Sequence, residues 1–236
     1  SKKDDNLYVD METNSCVCTE DNFNKFDTHN CWEYYYDQMK KPNNWYNTVT
    51  NTSEKAMLNY TKVHLGDYSD LQYRFNNNFK LKDYLQAELD DYYHKNLKGK
   101  ITLGVQIRLT DMVKHHNVSP LSKYLIKIRE ILNENPSIEQ LFVATDDHRA
   151  IEEVSKHISI PIIYHQAFRA SADDPQTDPY DRMKNNREFH KYNLSKECIK
   201  EIYTLSMCNF LLRADVSAIS NVATLLSNRI NTLYNL

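Results

Sequence analysis

The feature that most constrains this chain is a short apolar run that ends in a cation. Residues 101–116 read ITLGVQIRLTDMVKHH. The run from Ile101 to Ile107 is apolar enough for a buried strand. Arg108 and Asp111 follow directly beyond its carboxyl end. In open α/β sheets, ligands sit at such strand ends. From this stretch onward the sequence reads as alternating strands and helices. Before it the pattern differs, so the predicted boundary lies near Gly99, dividing 1–99 from 100–236.

The coarse pattern supports that division. Residues 7–9 form a short strand candidate, and 31–39 read as a helix with Trp32 and Tyr35 or Tyr36 turned inward. Residues 81–97 place Leu81, Tyr84, Leu85, Leu89 and Tyr92 at helical spacing. After the 101–107 strand, a helix is predicted over 120–132, with Ser119 as cap and Pro120 at the first helical position. QLFVAT at 140–145 is a buried strand, 147–157 a helix and 161–164 a strand. Residues 166–192 are long, charged and aperiodic, which reads as a functional loop or a disordered one; as a functional loop it would close over donor or acceptor, with Arg169 and His190 as contacts. A helix over 193–208, a strand over 209–212 and a helix over 217–228 complete the series.

Composition removes whole classes. The chain has only three glycines, Gly66, Gly99 and Gly104, so neither a GxGxxG turn nor a Walker loop can be written. Any phosphate must be held by arginine and helix N-termini. A net charge of -3 gives no reason to expect nucleic acid or an anionic membrane. Five cysteines are an odd count and too sparse for a disulfide scaffold, which favours a reducing compartment. No run is long and apolar enough to cross a bilayer. The chain opens on Ser1, from which an upstream piece is expected. Sequons at Asn51, Asn59, Asn117 and Asn193 read as chance in an Asn-rich chain, unless the protein is secreted.

The residues able to do chemistry gather at predicted strand ends. Arg108 and Asp111 follow the first strand, and Asp146 and Asp147 follow QLFVAT. Ser217 and Ser220 open the last helix, and Glu201 lies on the helix before it. In a parallel sheet these carboxyl ends share one rim. An arginine there can fork onto a diphosphate, and a helix N-terminus adds free N–H groups. Together they describe a site for a nucleoside diphosphate. Asp147 reads as a helix cap and Asp146 as the better site residue. Ser217 is open to either role. Cys16, Cys18, His29 and Cys31 make a poor zinc pattern, and buried thiols are the preferred reading. Seventeen tyrosines suit a surface that handles sugars.

These residues also carry a resemblance. Gly104–Asp111, GVQIRLTD, resembles the G-V-H-V/I-R-x-T-D motif of the α1,6-fucosyltransferase superfamily, which includes the nodulation-type enzymes. LFVATDD at 141–147 resembles that family's hydrophobic-A-T-D-D motif. ECIKEIYTLSMCNFLLRADVSAISNVA at 197–223 is similar to its third motif. Leu7–Asp10 and Trp32–Tyr36 resemble its "Y-V-D … W-E-Y-Y-F" segment.

The resemblance implies an α/β, GT-B-like fold. Its C-terminal part would be a Rossmann-like parallel sheet with helices on both faces, binding the donor. A smaller, mostly helical α/β N-terminal part would lie on the acceptor side. It implies inverting transfer of L-fucose from GDP-fucose to a glycan hydroxyl, with no metal and no cofactor beyond the donor itself. The partners are then a nucleotide sugar and a glycan acceptor. Carried over by position, Arg108 holds the β-phosphate and stabilises the departing GDP. Asp146 and Glu201 contact the nucleoside, Ser217 the phosphate, Gln106 also lies among the donor-binding residues, and Asp111 shapes the donor pocket.

The chain departs from the motifs at Gln106 (His in the family), Leu109 (a second Arg) and Met112 (Lys). Glu201 stands where the family has Asp, and the general-base position falls near His116, with His115 beside it. Imidazole has a suitable ordinary pKa for that task. These departures keep two other readings open, a non-catalytic nucleotide-sugar or glycan-binding relative and a transferase with another donor. A cytoplasmic location fits the thiols, and a lumenal catalytic domain freed of its anchor is the alternative.

Overall fold

The computed structural model describes residues 35–36, 72, 80–110, 119–170, 187–214 and 217–236. The apolar run is a strand as predicted, Thr102–Ile107 (β1), with all six residues buried. Gln140–Thr145 (β2) is buried along its whole length too. Strands covered on both faces lose the in–out alternation of a half-exposed strand, and both runs show this. Ile162–Ile163 (β3), Phe210–Arg213 (β4) and Thr232–Asn235 (β5) complete a five-stranded sheet in the order β3-β2-β1-β4-β5. Every pairing is parallel. β1 and β2 run in register from Thr102 opposite Gln140 to Ile107 opposite Thr145.

The chain first steps outward from β1 to β2 and β3, then crosses back to lay β4 on β1's other side. Right-handed crossovers then put the two sets of helices on opposite faces. One face carries Leu121–Glu134 (α2) and His148–His157 (α3). There Leu103, Val105 and Ile107 meet Tyr124, Ile128, Ile131 and Val154. The other face carries His190–Ser206 (α4) and Ala218–Leu226 (α5), with Phe142 and Ala144 against Leu205, Cys208 and Ala223. Asp83–Asn96 (α1) packs beside α4, joined to it by Leu85, Leu89, Tyr192 and Ile199, with Tyr92 reaching Phe142 of β2. Glu88 ties the pair further, receiving Lys196 and Lys200. α1 ends in a turn containing Gly99, at φ 78, a backbone that suits glycine.

Several expectations need correction. Tyr35 and Tyr36 are buried as predicted, but Tyr36 pairs as an isolated antiparallel bridge with Leu81, so these two residues are not helical. The Lys82 N–H donates to the Tyr35 carbonyl at 2.7 Å, which tertiary pairing supplies and local propensity cannot show. α2 begins one residue later than predicted, at Leu121. Pro120 is the N-cap, in extended backbone, and Ser119 instead accepts from Lys123 at 3.1 Å. α4 starts at His190, ahead of the predicted 193, behind Phe189 at φ 50. A left-handed aromatic residue carries no capping signal to read. β5 was not expected at all: it is a mostly exposed edge strand with no apolar run. The predicted 7–9 strand, the rest of the 31–39 helix and the Cys16, Cys18, His29, Cys31 group lie outside the described residues. Among the described residues no helix is long and apolar enough to cross a membrane.

Candidate functional site

β1 delivers Arg108 to the sheet's carboxyl rim, beside the point where the strand order reverses. Such a reversal opens a crevice between the loops of adjacent strands, here β1 and β4. Three contacts fix the chain as it leaves β1. The Arg108 N–H donates to the Tyr124 hydroxyl of α2 at 3.5 Å. The Leu109 N–H donates to Asp146 Oδ1 at 3.0 Å, and the Thr110 N–H to Asp146 Oδ2 at 3.2 Å. The Thr110 hydroxyl also donates to Oδ2, at 2.6 Å. Arg108 Nε then lies 3.3 Å from Asp146 Oδ2, with the two side chains 21% and 6% exposed. Adjacent strands thus bring two predicted site residues, Arg108 and Asp146, into an ion pair.

The residue beside Asp146 does something else. Asp147 is the N-cap of α3, accepting from the Arg149 N–H at 2.9 Å and pairing with its guanidinium at 2.8 Å. Its predicted capping role is the observed one.

Glu201 reaches the same region from α4. Arg169 Nη2 donates to Glu201 Oε1 at 2.8 Å, and the same guanidinium donates to the carbonyls of His165 and Ala167. Burial pushes Glu201 up to about 8; Arg169 opposes this, while the charges of Asp146 and Glu197 add to it. Asp146 and Glu201 are therefore within electrostatic reach of each other. Cys198, one turn earlier on α4, feels both Glu201 and Arg108, and burial pushes its thiol up to about 12. That thiol is protonated near neutrality and a poor nucleophile.

Gln106 points to the α4 face of the sheet, two residues before Arg108. It is 2% exposed, and its carbonyl Oε1 is buried with no hydrogen-bond partner among the described residues. An unsatisfied buried acceptor costs about 1–3 kcal/mol unless something donates to it. Ser217 sits at the N-terminus of α5, four residues past β4, where its hydroxyl accepts from the Ile219 N–H at 3.3 Å. Asp111, His115 and His116 lie outside the described residues.

Sequence reasoning missed a second pair. Arg187 donates to Glu197 Oε1 at 2.7 Å, and the Phe168 N–H donates to Glu197 Oε2 at 3.0 Å. Glu197 and Glu201 stand four residues apart on α4, so one helix face presents two carboxylates. Their spacing was legible; their arginine partners, 32 and 10 residues away in sequence, were not. His190, predicted as a contact, opens α4 and meets the Phe168 ring edge-on at 4.9 Å. Among the described residues no three His, Cys, Asp or Glu side chains are grouped to hold a metal ion.

No protein-family model matches the chain, and no curated protein matches it. Solved structures do. NodZ alpha-1,6-fucosyltransferase co-crystallized with GDP is 19% identical, with a TM-score of 0.46, over 64% of this chain and 44% of that one. Fucosyltransferase NodZ from Bradyrhizobium is 18% identical, with a TM-score of 0.44 and the same coverage. POFUT1 in complex with GDP-fucose is 10% identical, with a TM-score of 0.46, over 72% of this chain and 49% of that one. The chain thus spans less than half the length of these proteins. They are what it resembles in fold.

Proposed function

We propose that this chain is an inverting, metal-independent glycosyltransferase that moves L-fucose from GDP-fucose to a glycan hydroxyl, with residues 100–236 binding the donor. The observation that carries this reading is Arg108, paired with Asp146 at the carboxyl end of β1, where the strand order reverses. Three motifs in family order support it from the sequence. Cleaving a glycosyl–phosphate bond develops negative charge on the departing diphosphate. A guanidinium already fixed in place stabilises that charge with little reorganisation. The N-terminus of α5 at Ser217 offers N–H groups to the same phosphates. Gln106 and Glu201 face the nucleoside, and the unsatisfied Gln106 carbonyl supports an N–H or O–H donor from the ligand. Asp111 shapes the donor pocket, and His116 removes the acceptor's proton.

A screen of nucleotide sugars by mass-detected hydrolysis and transfer, with Arg108→Ala as control, tests the reading. GDP-fucose should give turnover that the variant lowers by about 10²–10³. Binding of GDP without transfer selects the non-catalytic reading, which Gln106, Leu109 and Met112 favour.

A further inference from the structure

A carboxylate beside a guanidinium that is to hold phosphates would repel them by its own negative charge, and Asp146 stands in that place beside Arg108. Its carboxylate is already engaged. It takes hydrogen bonds from the Leu109 N–H, the Thr110 N–H and the Thr110 hydroxyl, and an ion pair from Arg108 Nε. Three of the four contacts fall on Oδ2, which leaves that oxygen fully engaged by the loop after β1. The backbone of the same residue accepts from the Ala170 N–H at 2.9 Å, next to the arginine that reaches Glu201. One aspartate therefore joins the loop after β1 to the loop after β3.

We propose that Asp146 is the positioning residue of Arg108, acting on a bound diphosphate through that arginine instead of by touching the nucleotide. The inference rests on the reading of Arg108 given above, and it changes the role that position alone would assign to Asp146. The physical reason is directional. The ion pair at Nε draws the guanidinium toward Asp146, which biases where its fork lies before the ligand arrives. The backbone N–H groups on the same carboxylate offset its charge, which limits its repulsion of phosphate.

A double-mutant cycle read by GDP calorimetry tests the proposal. Asp146→Asn should weaken GDP binding about tenfold, the loss expected when one charged hydrogen bond fails. In an Arg108→Ala background the same change should cost nothing further, because the residue it serves is gone. Additive losses, or an unchanged affinity in Asp146→Asn alone, would overturn the proposal. A second readout needs no nucleotide. The Arg108 Nε–H signal in nitrogen-15 NMR should be shifted and slow to exchange, and should move and exchange faster in Asp146→Asn. A free-arginine signal in the unaltered chain would also overturn it. If GDP fails to bind the unaltered chain while the NMR signature holds, the donor reading fails and the positioning geometry stands. Should Asp146→Asn not fold, Thr110→Val removes one bond of the same clamp. It should weaken GDP binding roughly threefold, and only while Arg108 is present; equal losses with and without Arg108 would contradict it.

Discussion

The Arg169 guanidinium donates to the Glu201 carboxylate across 2.8 Å, with only 5% and 10% of the two side chains exposed. Even with that partner, burial and the nearby Asp146 and Glu197 charges hold Glu201 up at about 8, against 4.5 ordinarily. Between those values the folded chain keeps a proton that the unfolded chain has released. Stability from this group is thus greatest at low pH and is lost as pH rises through the window. Glu201→Gln keeps an acceptor for Arg169 and removes the titration. Its urea midpoint should fall less than the unaltered chain's between about pH 6.5 and 8. Identical slopes would contradict the account.

His165 works in the opposite direction. Its Nε2 lies 2.8 Å from the Thr204 hydroxyl, with the Tyr92 ring at 4.0 Å. Burial pushes it down to about 3 from 6.5, with the charges of Lys200 and Arg169 adding to the effect. The unfolded chain therefore takes up a proton first, and stability is lost as pH falls from about 6.5 toward 3. Carbon-13 NMR should show a neutral His165 ring at about pH 5, where a free histidine is charged. A ring titrating near 6.5 would contradict this environment. From about 4.5 to 6.5 the Glu201 and His165 contributions oppose each other, so the unaltered chain should be nearly flat there where Glu201→Gln gains stability with pH.

Gly104 lets α4 approach the sheet. A Cβ at that position would meet Cys208 Sγ and Leu205 Cδ2, both at 3.1 Å, in the buried centre of β1. Gly104→Ala should destabilise the fold by about 1–3 kcal/mol through overpacking. Cys208→Ala in the same chain should recover part of that loss by removing the sulfur. Denaturant unfolding reads both, and a stabilising Gly104→Ala would contradict the close approach.

Asp146 and Asp147 are neighbours with separable roles. Asp147→Ala removes the α3 cap and its Arg149 contacts, and should cost about 0.5–2 kcal/mol in unfolding free energy. Its GDP affinity should stay near that of the unaltered chain. A large loss of binding with no loss of stability would reverse the assignment of the two residues.

These elements differ in how far the sequence reveals them. β1 and β2 are plain in the sequence because a strand buried on both faces is mostly apolar, and the cap at Asp147 is plain because it depends on nearby backbone. Arg108 and Asp146 were legible separately, as polar residues just past apolar runs. That they grip each other depends on β1 lying beside β2, which no local pattern states. The Arg169–Glu201 and Arg187–Glu197 pairs were hidden for the same reason. β5 was missed because an edge strand paired on one side needs few apolar residues. The start of α4 was missed because Phe189 gives no capping signal.

The most direct test of the central claim is GDP binding measured by calorimetry on the unaltered chain and on Arg108→Ala, with thermal unfolding run in parallel. The unaltered chain should bind GDP saturably, and Arg108→Ala should weaken that binding by about 10²-fold, the scale of a lost charged contact to phosphate, while staying folded. Equal GDP affinity in a folded Arg108→Ala chain would contradict it.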